Sequence, residues 1–209
     1  MARIVCLANS YKHQGRCIAG IDIDTGKWVR PVPQNRDTIY NERFIDGKYE
    51  PQLLDLLEIP IGDQAPDKGC QPENRYLSQG VWRKIRRLSL IDIERYIEDT
   101  PDLLHNQESK VDPDIFLQIP HNQWKSLQLI SVNGLSFSLN QWKKTHCTFI
   151  YYGVSYNLKV TEPVIIDKIK NRDSVSRKCL LTISLATPWA AQKNEKLYCW
   201  KMIAGVIEL

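Results

Sequence analysis

The sequence contains no apolar run approaching the roughly 18 residues of a membrane span, and its N-terminus has no basic-then-apolar leader pattern. Those absences argue for a cytoplasmic chain with no membrane partner. No CxxC pair occurs among the six cysteines, and the four histidines show no HxxxH or HxH spacing. A short-spaced zinc site is therefore not encoded, and buried, reduced thiols are expected. A Gly-rich phosphate loop, HExxH and GxSxG are all missing, so the chemistry that depends on them is excluded. Asp22 and Asp24 share a strand face, but Asp24 before Thr25-Gly26 is better explained as a turn residue. Neither a cofactor nor a metal is expected, and the balance falls toward a non-catalytic role.

What is present is ordinary globular material: 209 residues, 43% hydrophobic and 25% charged, with a net charge of only +4. The charge is unevenly spread, because segments 1–36, 75–87 and 126–209 are basic while 37–74 and 88–125 are acidic. Each block can be a solvated face, or the basic blocks can converge into one positive surface. Strand signals fill both ends of the chain. Segments 3–8, 16–23, 26–32 and 53–61 lead, and 127–132, 135–139, 145–152, 154–160, 178–185 and 197–207 follow. Asp24-Thr25-Gly26, Asn133-Gly134 and Tyr152-Gly153 supply turns between them. Ser89-Leu90-Ile91-Asp92 has capping-box form, and Leu90, Ile93, Tyr96 and Ile97 recur at helical spacing, which predicts one helix over 90–99. Segment 101–125, broken by Pro113 and Pro120, reads as a connector. Segment 164–169 reads as a strand end or a short helix.

The two ends also echo each other. LANSYKHQGRCIAGI near the start and LATPWAAQKNEKLYCWKMIAGVI near the end both run from Leu-Ala through a polar, basic loop and a cysteine to Ile-Ala-Gly. Two similar β-units are expected.

Several of these segments, taken in order, carry a resemblance. They are Leu7-Ala8-Asn9-Ser10 with Lys12 and Arg16 to Gly20, Trp28 to Val32, Gln71-Pro72-Glu73-Asn74, Tyr156-Asn157-Leu158, Thr161-Glu162-Pro163, and Ile183-Ser184-Leu185 leading to Lys201 to Ile207. In that order they resemble the prokaryotic dual OB-containing domain (DuOB) family along nearly the whole chain, with Glu162 where the family pattern has aspartate. The resemblance implies a mainly β fold of two OB-like β-barrel units joined by a short helical connector, over 1–89, 126–209 and 90–125 respectively, with no established catalysis.

OB-like barrels bind single strands or oligosaccharides through one sheet face and its loops. Single-stranded nucleic acid needs a basic groove and aromatic platforms. The candidate contacts are Ser10, Tyr11, Lys12 and Arg16 in the first hairpin, with Lys12 and Arg16 expected to be exposed. Trp28 and Arg30 follow on one strand face. Glu73 and Asn74 come from a loop, and Trp82, Lys84 and Arg86 from the densest basic run, where strand alternation puts all three on one face and a helix would instead make the run a charged first turn before the capped helix. Trp189 and Lys201 repeat the arrangement in the second half, with Trp200 and Met202 expected in the core. The expected partner is single-stranded nucleic acid. A small anionic ligand such as a nucleotide, or a protein partner, is the alternative.

Overall fold

The computed structural model describes residues 1–36 and 38–209. Two compact units emerge. One comprises residues 1–66 and 73–97, the other residues 67–72 and 98–209.

The first unit is built from β1 (Ala2–Lys12), β2 (Gly15–Asp22), β3 (Trp28–Val32), β4 (Asp55–Ile59), β5 (Ile61–Gln64), β6 (Asn74–Leu77) and β7 (Arg83–Arg87). They form one sheet in the order β5-β6-β3-β2-β1-β4-β7. Strands β1 to β3 make the meander that the turn residues predict. Gly26 takes a positive φ of 69° in the Asp24-Thr25-Gly26 turn, as its sequence requires. In the first hairpin the left-handed position falls instead on His13, with φ 52°. Gly15 is needed for a different reason, because a Cβ there would stand 2.7 Å from the Ile39 carbonyl oxygen. Pro60 separates β4 from β5, since proline cannot donate to the ladder. Ile4, Cys6, Ile18, Leu57, Ile59 and Trp82 form the core of this unit.

The predicted helix is shorter than its period suggests. An α-helix, α1 (Leu90–Ile93), passes into a 3-10 turn at Glu94–Tyr96, and Ile97 is already extended. The Asp92 carboxylate accepts from Ser89 N at 2.8 Å, as the capping signature requires, and also from Ser89 Oγ at 2.7 Å. Only Ile93 of the apolar set is fully buried, while Leu90 and Ile91 are exposed, so packing does little to extend the helix.

The second unit contains β8 (Lys110–Val111), β9 (Leu127–Asn133), β10 (Ser136–Leu139), β11 (Thr145–Tyr151), β12 (Val154–Val160), α2 (Pro163–Asn171), β13 (Lys178–Leu185) and β14 (Cys199–Glu208). Its sheet runs β10-β11-β12-β14-β13-β9, with β8 pairing against β14. Tyr152 and Gly153, with φ of 47° and 78°, form the two-residue turn between β11 and β12 that matches strand twist. Segment 101–125 carries 3-10 turns at Pro113–Leu117 and His121–Gln123 in place of longer structure.

Segment 163–171 is a helix because Glu162 caps it. The Glu162 carboxylate accepts from Val164 N at 3.0 Å and Ile165 N at 2.7 Å, and Pro163 takes the first turn, where its missing N–H costs nothing. Thr161 Oγ donates to Ile203 O at 3.0 Å, tying the cap to β14. The Thr-Glu-Pro motif thus has a structural task that either acidic residue can perform.

The echo between the chain ends becomes two antiparallel pairs, β1 with β2 and β13 with β14, each with a bulge at or beside the Ile-Ala-Gly motif. Their registers differ. Gly20 opposes Cys6, one residue before Leu7, whereas Gly205 opposes Thr182, three residues before Leu185. All six cysteines are free of disulfides, and only Cys17 is not fully buried.

Candidate nucleic-acid interface

In the first hairpin, Ser10 opposes Cys17, Tyr11 opposes Arg16 and Lys12 opposes Gly15. Cross-strand partners point to one face, so the Arg16 guanidinium lies over the Tyr11 ring, 4.1 Å from its centroid. Arg16 Nε also donates to Glu50 Oε1 at 2.6 Å, and Arg43 Nε reaches the same oxygen at 3.0 Å. Burial alone would raise Glu50, but the bonds from Arg16 and Arg43 outweigh it and hold the carboxyl below its usual range. The expected exposure of Arg16 is therefore corrected. It is half-buried and its charge is matched locally, because the acidic segment around Glu50 folds back onto the hairpin. Ser10 is buried and its Oγ donates to Cys17 O at 3.4 Å, Tyr11 is exposed, and Lys12 is half-buried at the end of β1.

Four more candidates are brought together at the β3–β6 junction. These two strands run parallel with Arg30 opposite Asn74, and Arg30 N donates to Glu73 O at 2.9 Å. Trp28 is half-buried, whereas Arg30, Glu73 and Asn74 are buried. Asn74 Nδ2 donates to Pro66 O at 2.9 Å, and Asn74 O accepts from Gln64 Nε2 at 2.9 Å. These polar groups form an internal seam, which differs from the loop-borne, solvent-facing set that sequence reasoning expects.

The basic run forms β7, at one end of the sheet, with three strands between it and β3. Its facing differs from simple alternation, because a bulge at Ile85 leaves Lys84 opposite Leu57 and Arg86 opposite Leu56. Lys84 and Arg87 consequently share the face of Asp55, while Arg83 and Arg86 take the other. Trp82 is buried in the core and joins neither set. Asp55, fully buried, is 2.7 Å from Lys84 Nζ and accepts from Tyr49 Oη at 2.7 Å and Gln52 N at 2.9 Å. Its hydrogen bond raises the Lys84 ammonium above the ordinary lysine value.

In the second unit, the facing of β14 corrects the expectation for Trp200 and Met202. Cys199, Lys201 and Ile203 point inward, whereas Trp200 and Met202 are half-buried, and Tyr198 precedes the strand in the same parity. Trp189 bridges to Tyr198 through two backbone bonds of 3.1 Å and is 48% exposed. The Trp189 and Trp200 rings are 5.8 Å apart at 42°, and those of Tyr198 and Trp200 are 6.4 Å apart at 74°. Lys110 Nζ stands 3.6 Å from the Tyr198 centroid and 5.3 Å from that of Trp200. Three aromatic rings and an ammonium thus share one partly open face.

Lys201 supports this face from beneath. Its Nζ donates to Asn106 O at 2.8 Å, Asn106 Oδ1 at 2.6 Å and Glu108 O at 2.6 Å. Its backbone N donates to Ser109 O at 3.0 Å. The segment leading into Lys110 is therefore pinned to β14 by a lysine that is 3% exposed. Burial pulls its ammonium down to about 7 from the ordinary 10.5. Lys110 itself escapes sequence reasoning, because it lies in a polar connector. The only signal is its place in a Lys-Val pair just before Asp112-Pro113, where a two-residue strand can end.

Antiparallel strand pairs joined within each sheet by one short parallel pairing, in two mainly β units with few helices, are the features of a dual OB-like protein. The family model for the dual OB-containing domain (DuOB) matches residues 2–206, and the chain belongs to that family. No curated protein and no solved structure matches the chain.

Proposed function

We propose that this protein is a non-catalytic module that binds single-stranded nucleic acid. The observation that carries this reading is the face formed by Trp189, Tyr198 and Trp200 with Lys110. Bases stack on aromatic rings whatever their sequence, and a nearby ammonium meets the phosphate backbone. The first hairpin adds Tyr11 and Lys12 as a secondary contact, with Arg16 holding the Tyr11 ring. Action in the cytoplasm is part of the same reading. It is supported by six cysteines outside any disulfide, and by the finding that no helix among the described residues is long and apolar enough to cross a membrane.

The test is fluorescence anisotropy with a labelled single-stranded oligonucleotide at two salt concentrations. Trp189→Ala and Tyr198→Ala are each expected to weaken binding by about 1–3 kcal/mol. Lys110→Ala should lower the salt slope by about 0.7. Unchanged affinity in folded Trp189→Ala and Tyr198→Ala proteins would refute the reading.

A further inference from the structure

Strand β7 combines three properties that the nucleic-acid reading does not use. First, it ends its sheet, and among the described residues no strand lies on its outer side. An antiparallel strand bonds the N–H and C=O of alternate residues to its one neighbour and leaves the others on the outer edge. Second, all five of its residues are exposed, and four are cationic. Lys84 and Arg87 face Asp55, but among the described residues Arg83 and Arg86 have only long ion pairs of 3.9 Å, to Glu58 and Asp92, with side chains 71% and 58% exposed. Third, exposed aliphatic side chains accompany these cations. Val81 is 69% exposed and Ile85 48%, and Leu90 and Ile91 follow in α1. Beside the strand opens a cleft of about 430 Å³, lined by Ile45, Asp46, Tyr49, Arg83 and Lys84.

Cations alone would suit either a phosphate backbone or a carboxylate-rich chain. The aliphatics and the open strand edge decide between them. A phosphate backbone offers nothing to Val81 and Ile85, and it cannot continue a β-ladder. An extended acidic peptide with interspersed aliphatic residues satisfies all three properties at once. Its main chain pairs with the edge, its carboxylates meet Arg83 and Arg86, and its apolar side chains cover Ile85.

We propose that β7 is a docking edge for an extended acidic–aliphatic peptide segment of a partner protein, which adds to the first sheet as an outer strand. The bulge at Ile85 fits this use, because it sends Arg83 and Arg86 to the face away from Asp55 and leaves them available.

The probe is a short labelled peptide of alternating glutamate and valine, titrated against the full chain by anisotropy. The wild-type protein should bind it, and an R83E/R86E protein should bind at least about tenfold more weakly. Both side chains are exposed, so the fold should persist, and circular dichroism of the variant checks that it does. The same peptide with prolines at alternate positions keeps its charge but loses the N–H groups that a ladder needs, and it should not bind. Equal binding of the proline peptide, or an affinity unaffected by R83E/R86E, would overturn the proposal. So would displacement of the peptide by an unlabelled single-stranded oligonucleotide, which would assign the edge to nucleic acid. A Trp189→Ala protein should retain full peptide affinity, so failure here and failure of the nucleic-acid reading are told apart.

Discussion

Replacing Lys201 by methionine keeps an unbranched four-atom stem and removes the ammonium at its end. Two opposing effects act on that group. Three oxygen acceptors at 2.6–2.8 Å favour the charged form, whereas burial disfavours it and, on balance, lowers it to about 7. In the unfolded chain a lysine titrates near 10.4. Between these values the unfolded chain carries a proton that the folded one has released, so stability rises with pH through that window. The contribution is fully present above the unfolded value and is lost as pH falls to about 7. Each pH unit in the window is worth about 1.4 kcal/mol. The stability gap between wild type and Lys201→Met should therefore widen, in favour of wild type, by about 2–3 kcal/mol from about pH 7 to about pH 9. Urea denaturation of both proteins at the two pH values measures it, and the chain's other titrations cancel in the difference. A gap that stays constant would refute the reasoning, since it would mean that the three acceptors outweigh burial and the ammonium stays charged in the fold.

Other outcomes follow from the same geometry. Glu162→Ala should cost about 1–2 kcal/mol by uncapping α2, and Glu162→Asp should recover most of it in thermal melts. Arg16→Ala should lower stability by about 1–3 kcal/mol, because it removes a part-buried charged hydrogen bond. In titrations against an oligonucleotide it should leave the salt slope unchanged, since Glu50 already matches that charge. A thiol reagent at neutral pH should modify Cys17 promptly in the native protein and all six cysteines in urea. Burial pushes Cys147 up to about 12 and Cys179 up to about 11, so neither forms thiolate readily. Rapid native modification of more than one thiol would contradict this.

The parts of the fold that sequence reveals are those decided locally. The Asp24-Thr25-Gly26 and Tyr152-Gly153 turns, the Ser89–Asp92 cap and the break at Pro60 each depend on residues within a few positions of one another. Facing is less legible where a partner strand sets it. The bulge at Ile85 exists only in the pairing of β7 with β4, so no alternation rule applied to the basic run alone can separate Lys84 from Arg86. Lys201 reads as solvent-facing because lysine in a strand ordinarily is. Its burial depends on Asn106 and Glu108, about a hundred residues earlier, which supply the acceptors. The aromatic face is half legible. Trp189 stands out in a basic loop, whereas Trp200 looks like core and Lys110 looks like linker until β8 is seen to pair with β14.

Residues 67–72 have a consequence for how such a protein can be inherited. They leave the first unit between β5 and β6 and belong to the second, where Cys70 Sγ donates to Ala186 O at 3.4 Å and Gln71 Nε2 donates to Leu185 O at 3.0 Å. The chain therefore passes between units three times, and no single cut separates them. A gene fragment encoding residues 98–209 would lack a piece of its own unit, and one encoding residues 1–97 would carry a piece that belongs elsewhere. Shuffling, duplication or loss of one half is correspondingly penalised, which favours transmission of the two units as a single block, as the uninterrupted family match from 2 to 206 would have it.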